Sequence, residues 1–137
     1  MKLVIDTNIF WVAISKNAKT HWVLHELLKG SYTLCVSTEI LKEYEEIIGQ
    51  KLGNTVADNI LAMIDNLPNV EYITTYYKWG LIVQDYDDNK FVDCAIACNA
   101  NYLVTQDKHF KILGRIKFPR VNVIDVHELK VVLGIKK

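Results

Sequence analysis

The run Lys2-Leu3-Val4-Ile5-Asp6-Thr7-Asn8 constrains this chain more than any other stretch. Leu3, Val4 and Ile5 are continuously apolar rather than alternating, the pattern of a strand covered on both faces, and such strands belong to parallel sheets flanked by helices. Asp6 follows at once, where that strand ends and a helix begins. In open parallel sheets the crevice beyond the carboxyl ends of the strands is where ligands bind, so a carboxylate there points to a site. A plainer reading stands beside it: Asp6 or Thr7 caps the next helix.

The rest of the chain repeats the strand-then-helix alternation. Helices are expected over Ile9 to Ser15 and Thr20 to Leu28, broken near Asn17, and a second strand over Tyr32 to Val36. Ser37 then caps a helix whose Ile40, Leu41, Tyr44, Ile47 and Ile48 form one apolar stripe. Glu43 and Glu45 flank the two edges of that stripe and Glu46 lies further round, so spacing alone does not choose among them. A helix from Thr55 to Asn66 stops before Pro68, and Val70 to Thr74 reads as a third strand. The short apolar segment Leu81 to Val83 runs into Asp85-Tyr86-Asp87-Asp88-Asn89, ahead of a helix carrying Phe91, Val92, Ala95, Ile96 and Ala97. Tyr102 to Thr105 is a further strand, ending in Gln106-Asp107, with a helix expected from Lys108 to Leu113. Val121 to Ile124 is the last strand and Val126 to Leu133 the closing helix. This order predicts an α/β fold, a three-layer α/β/α sandwich with a mainly parallel central sheet, in a single domain over 1–137.

Charge narrows the function classes only locally. Sixteen basic and sixteen acidic residues cancel, so no overall field announces a nucleic-acid or membrane partner. From Lys108 onward, however, eight basic residues face two acidic ones, and Lys108, Lys111, Arg115, Lys117 and Arg120 lie just beyond Asp107. They are candidates for holding phosphates beside the acids, with a solvated charged face as the alternative. Cys35, Cys94 and Cys98 are odd in number and sit in apolar patterns, which predicts reduced, packed thiols and a cytoplasmic protein. His21 and His25 share a helical spacing but read as amphipathic surface rather than metal ligands. No signal peptide or membrane span is expected.

The acidic residues carry the chemistry. Asp85, Asp87, Asp88 and Asp93 crowd one window that contains a single cation, Lys90. Asp88 falls at a helix N-terminus, where the helix dipole stabilises a negative charge by roughly 0.3 to 1 kcal/mol. That accounts for one or two acids. Four in so short a span repel one another unless a cation intervenes. With Asp6 and Asp107 at the same sheet edge, the donors are hard oxygens, which suit Mg²⁺ or Mn²⁺. Two such ions activate water and stabilise the leaving oxygen of a phosphodiester.

These residues together resemble the PIN-domain nucleases, a family that includes the VapC-type toxins of toxin-antitoxin pairs. The resemblance rests on Val4-Ile5-Asp6-Thr7-Asn8, on Ser37 through Glu43 to Ile48, on Asp85 to Asn89 with Phe91 and Ala95, and on Tyr102-Leu103-Val104-Thr105-Gln106-Asp107. It implies a PIN-like fold with Asp6, Glu43, Asp88 and Asp107 as the catalytic acids. Glu43 is thereby preferred over Glu45, and Thr7, Asn8 and Thr105 are supporting polar positions. Asp6, Asp88 and Asp107 are implied to bind the metal. Asp93 matches an extra acid of part of the family and is assigned to the metal through water or at a second ion. Tyr86 and Gln106 depart from the residues common at their positions, at the pocket rim. The implied activity is a Mg²⁺- or Mn²⁺-dependent ribonuclease, with RNA as substrate, a small antitoxin as partner and often a homodimer. The resemblance thereby makes RNA the source of the phosphates that Lys108, Lys111, Arg115, Lys117 and Arg120 are candidates to hold.

Two rivals come from other classes. A phosphatase of the haloacid dehalogenase type also opens with a strand and a nucleophilic Asp, but it wants a second Asp two residues on, where this chain has Asn8. The other is a PIN-like module that binds RNA or protein without cutting. Clustered carboxylates in register weigh against it, because a pure binder gains nothing from their repulsion.

Overall fold

Strands β1 (Lys2–Ile5), β2 (Thr33–Val36), β3 (Val70–Tyr72), β4 (Tyr102–Val104) and β5 (Val123–Ile124) form one sheet in the order β3-β2-β1-β4-β5. Every adjacent pair is parallel. The structure is a computed structural model and describes residues 1–135. Leu3, Val4 and Ile5 in β1, Leu34, Cys35 and Val36 in β2, and Leu103 and Val104 in β4 are wholly buried, as their unbroken apolar runs require.

The connections explain where a site can form. Helices α1 (Thr7–Ala13) and α2 (His21–Lys29) link β1 to β2, and α3 (Thr38–Leu52) and α4 (Asn54–Asn66) link β2 to β3. The return to β4 runs through residues 73–85 without regular structure, a 3-10 turn at Tyr86–Asp88, and α5 (Asn89–Cys98). A longer 3-10 helix, Lys108–Arg115, joins β4 to β5, and α6 (Val126–Val132) closes the described chain. With right-handed crossovers, α1 to α4 cover one face of the sheet, and α5 with the 3-10 helix covers the other. The winding reverses between β1 and β4. A crevice therefore opens beyond the ends of those two strands, where Asp6 and Thr105 sit.

Helix α3 is fixed to this point by aromatic packing. Phe10 of α1 stacks on Tyr44 of α3, with ring centroids 4.4 Å apart and planes 9° from parallel. The buried Tyr44 hydroxyl donates to the Ile5 carbonyl at 2.5 Å, which satisfies both groups and ties the helix carrying Glu43 to the end of β1. The Ser37 hydroxyl accepts from the Ile40 amide at 3.3 Å, as a cap should.

Several expected boundaries shift. The third strand ends at Tyr72, and the last one shortens to Val123–Ile124, an edge strand paired only with Leu103 and Val104. The helix expected over Lys108 to Leu113 is a 3-10 helix running to Arg115. Its two buried residues, Phe110 and Leu113, are three apart, and a three-residue turn places both on the core side. The apolar segment around Ile82 is no strand: the Asn89 side chain donates to the Ile82 carbonyl at 2.8 Å and accepts from its amide at 2.9 Å, the partners a neighbouring strand would have supplied. Among the described residues, no helix is long and apolar enough to cross a membrane.

Candidate active site

Asp6 is the centre of the crevice. It occupies the position before α1, yet its carboxylate makes no capping hydrogen bond to that helix. Instead Oδ2 accepts from the Thr105 hydroxyl at 2.7 Å, and that same hydroxyl accepts from the Asp107 amide at 3.1 Å. One buried threonine thus joins the first acid to the backbone of the fourth. Burial raises the Asp6 pKa, the Thr105 hydroxyl and the Asn8 backbone N–H offset part of that, and the Glu43 and Asp107 charges raise it further. Asp6 thus keeps some of a cap's interaction with the start of α1 through Asn8, while its clear side-chain hydrogen bond goes to Thr105.

Glu43 is the glutamate that α3 turns toward Asp6. Its Oε2 accepts from the Thr7 hydroxyl and its Oε1 from Lys90 Nζ, the latter at 2.5 Å. Glu45 and Glu46 are exposed and line a separate groove with Lys42, Gln50 and Asn54. Lys90 also reaches Asp87 Oδ1 at 3.2 Å. Its own burial lowers its pKa, but Glu43 and Asp87 outweigh that and leave the ammonium firmly charged. As the one cation inside the acidic window, Lys90 was visible in the sequence, though nothing there tied it to Glu43.

Asp88 closes the 3-10 turn before α5 and makes no side-chain cap bond. Its Oδ2 is buried without a hydrogen-bond partner. His109 Nδ1 lies 3.6 Å away, beyond hydrogen-bond length, so that contact is electrostatic only. Burial, then the Asp85, Asp107 and Asp6 charges, push the Asp88 carboxyl up to about 6, with His109 acting weakly the other way. A helix N-terminus alone would have stabilised the charge; here desolvation and repulsion prevail. Asp107 Oδ1 accepts from the His109 amide at 2.9 Å, and the same oxygen is 3.5 Å from the His109 ring.

The donor set fits a divalent cation. A buried carboxylate oxygen amid like charges, with no hydrogen bond and only the His109 ring nearby, lacks the full compensation that buried charges need. Asp85, Asp88 and His109 each offer a ligand atom within 4.8 Å of the other two. Sequence reasoning had not singled out Asp85 or His109: Asp85 was one acid among four, and no spacing rule marks His109. Asp85 Oδ1 also accepts from the Asp87 amide at 3.0 Å, which shapes the turn.

Asp93 is set apart. Its Oδ1 accepts from the Trp79 amide at 3.2 Å. Burial raises its pKa, the Trp79 N–H lowers it, and the charges it feels are Glu39 and Lys78 rather than Asp6 or Asp88. The structure gives this acid a satisfied place holding the 73–85 segment. Asn8 is exposed, with Thr7 and Thr105 making the contacts described. The basic group is divided: Lys108 and Lys111 share a cleft with Thr105 and Asp107, and Arg115 is exposed. Lys117 and Arg120 line another cleft with Tyr102 and Asn122, toward the amino ends of β4 and β5. Only the first pair lies beside the acids.

The PIN-domain sequence profile matches residues 2–109, a span containing Asp6, Glu43, Asp88 and Asp107. No curated protein matches significantly. Among solved structures, the chain is similar to VapBC2 from Rickettsia felis bound to a DNA fragment from their promoter, at 23% identity and a TM-score of 0.63, covering 91% of this chain and 98% of that one. It is also similar to Mycobacterium tuberculosis VapC20, described as a sarcin-ricin loop cleaving toxin, at 15% identity and a TM-score of 0.60, covering 82% and 95%. At these identities the likeness concerns the fold.

Proposed function

The chain belongs to the PIN-domain family, and on that premise we propose that it is a Mg²⁺- or Mn²⁺-dependent ribonuclease that hydrolyses phosphodiester bonds of single-stranded RNA. The observation that carries this reading is the buried, unpartnered Asp88 Oδ2 beside Asp6, Asp107 and His109. Asp6, Asp88 and Asp107, with Asp85 and His109, hold the metal. When bound, divalent ions supply positive charge that acidifies water and stabilises the leaving oxygen. Thr105 fixes the Asp6 carboxylate by its hydrogen bond, and α3 presents Glu43 from the opposite side. Thr7 and Lys90 engage one oxygen each of Glu43, which sets the plane of its carboxylate; the remaining lone pairs accept a proton from the attacking water. Lys108 and Lys111, next to Asp107, neutralise phosphate charge of the bound strand.

As a partner we propose a small antitoxin protein, and a homodimer as the assembly, in the cytoplasm. These rest on analogy with the two VapC-named relatives. The phosphatase rival is disfavoured by Asn8, an exposed amide where its general acid would stand. Purified protein is expected to cut unstructured RNA with Mg²⁺ or Mn²⁺, to stop with EDTA, and to lose about two to three orders of magnitude of activity in Asp6→Asn. Release of phosphate from a small phosphomonoester through a covalent Asp6 intermediate would establish the phosphatase. RNA bound but uncut by wild type with Mn²⁺ would leave a binding module.

A further inference from the structure

The segment 73–85 leaves a set of aromatic rings in solvent that the acid cluster does not use. Tyr76 and Tyr77 are 93% and 64% exposed and Phe118 is 83% exposed. Half-buried Trp79 joins two of them into a ladder: Tyr77 meets Trp79 edge to face at 4.6 Å, and Trp79 meets Phe118 edge to face at 6.3 Å. Phe118 comes from the stretch after the 3-10 helix, so the ladder joins two distant parts of the chain. Tyr77 and Phe118 nevertheless keep most of their surface in solvent. The ladder is anchored from below, because the Trp79 amide donates to buried Asp93.

The two segments that carry these rings hold charge of one sign, although Asp93 and Glu39 approach from neighbouring elements. Residues 73–80 and 114–122 contain Lys78, Arg115, Lys117 and Arg120 and no acidic residue. Lys117 and Arg120 are the two cations that lie away from the acids, and they flank Phe118 in sequence. A cleft whose lining includes Lys78, Gly80, Tyr86 and Lys90, and also Glu39, Asp87 and Asp93, lies between Lys78, the neighbour of Trp79, and Lys90, which bonds Glu43. A sizeable exposed apolar patch marks an interaction surface. Lysines interleaved with rings are poor material for the dry centre of a protein interface, whereas rings that stack bases beside cations that meet phosphates are the usual means of holding a single strand.

We propose that Tyr77, Trp79 and Phe118 form a stacking platform for the bases of single-stranded RNA flanking the cleavage point, with Lys78, Lys117 and Arg120 on its phosphates. This rests on the ribonuclease reading above and extends it. The platform lengthens the substrate: an oligonucleotide long enough to reach from the acids to Phe118 binds more tightly than one that fills only the acidic crevice.

The test uses full-length Asp6→Asn protein, which does not cut, and fluorescence anisotropy with a labelled unstructured 12-mer RNA, a 4-mer, and a 12-mer abasic along half its length. Trp79→Leu/Phe118→Leu is expected to bind the 12-mer roughly tenfold or more weakly, to bind the 4-mer unchanged, and to show no further loss on the abasic 12-mer. Trp79→Phe/Phe118→Tyr is expected to restore affinity, which separates stacking from a folding defect. Lys117→Ala/Arg120→Ala is expected to flatten the salt dependence of 12-mer binding. Unchanged 12-mer affinity in the leucine variant overturns the platform while leaving cleavage by wild type as the separate measure of the ribonuclease reading. So does a leucine variant whose sedimentation shifts to a smaller species with RNA affinity intact, which would make the rings a contact between copies. Failure of wild type to cut RNA with Mn²⁺ and of Asp6→Asn to bind any oligonucleotide overturns both.

Discussion

Asp88 and Asp93 stand five residues apart at the start of the same helix, and burial raises the pKa of both. Their surroundings then diverge. Asp93 receives the Trp79 amide and feels Lys78, so its charge has partners within the protein. Asp88 has a buried oxygen with no hydrogen-bond partner and only the His109 ring 3.6 Å away, and Asp85, Asp107 and Asp6 crowd it with the same sign. A buried carboxylate that the chain satisfies serves the fold; one that it leaves unsatisfied awaits something from outside, and for hard oxygens that is a divalent cation. The contrast leads us to propose a different part for the extra acid of the family resemblance, that of holding the Trp79 segment through its amide.

The contrast breaks most visibly in activity. Asp88→Asn is expected to lower Mn²⁺-dependent RNA cleavage by about a hundredfold or more, and Asp93→Asn, which keeps an acceptor for the Trp79 amide, by only a few fold. Comparable losses in the two variants, measured side by side on one RNA, would return Asp93 to the metal.

A smaller effect sharpens the Asp88 side. His109 adds a nitrogen donor next to Asp85 and Asp88, and imidazole favours transition metals over Mg²⁺. His109→Ala is therefore expected to weaken Mn²⁺ binding about tenfold in calorimetric titration while Mg²⁺ binding changes little. An equal loss for both ions would show that His109 acts only by orienting Asp88 and Asp107.

The smallest effect is on stability in EDTA. Asp93→Ala removes the acceptor of a part-buried amide and is expected to cost about 1 kcal/mol in urea unfolding. Asp88→Asn is expected at pH 7 to be as stable as wild type or more so, because repulsion is relieved. The sign follows from the raised carboxyl: the folded protein holds that proton more tightly, so the stabilisation is full below the ordinary value of 3.8 and is lost as pH rises through about 6. Wild type should accordingly lose stability relative to Asp88→Asn between about pH 4 and 7, and parallel pH curves would contradict the assignment.

What the sequence determined by itself was everything that repeats or that must be buried. The unbroken apolar runs of β1, β2 and β4 dictated a doubly covered parallel sheet, and a strand ending in Asp6 or in Thr105-Gln106-Asp107 put carboxylates at its edge, because strand ends and sheet edge coincide in that architecture. Local geometry was less legible: the 3-10 form of Lys108–Arg115 and the irregular path through Ile82 depend on which neighbours satisfy the backbone. Helical spacing left Glu43 and its neighbours open and only the family resemblance preferred Glu43; the tertiary structure supplied the physical reason that it faces the crevice, through the Tyr44 bond to Ile5 and the contacts with Thr7 and Lys90. It also separated Asp88 from Asp93, brought His109 to the acids, and divided the basic residues into two clefts. The physical reason is common to all four. Burial and charge are properties of what surrounds a side chain, and those surroundings come from segments tens of residues away that no local pattern records.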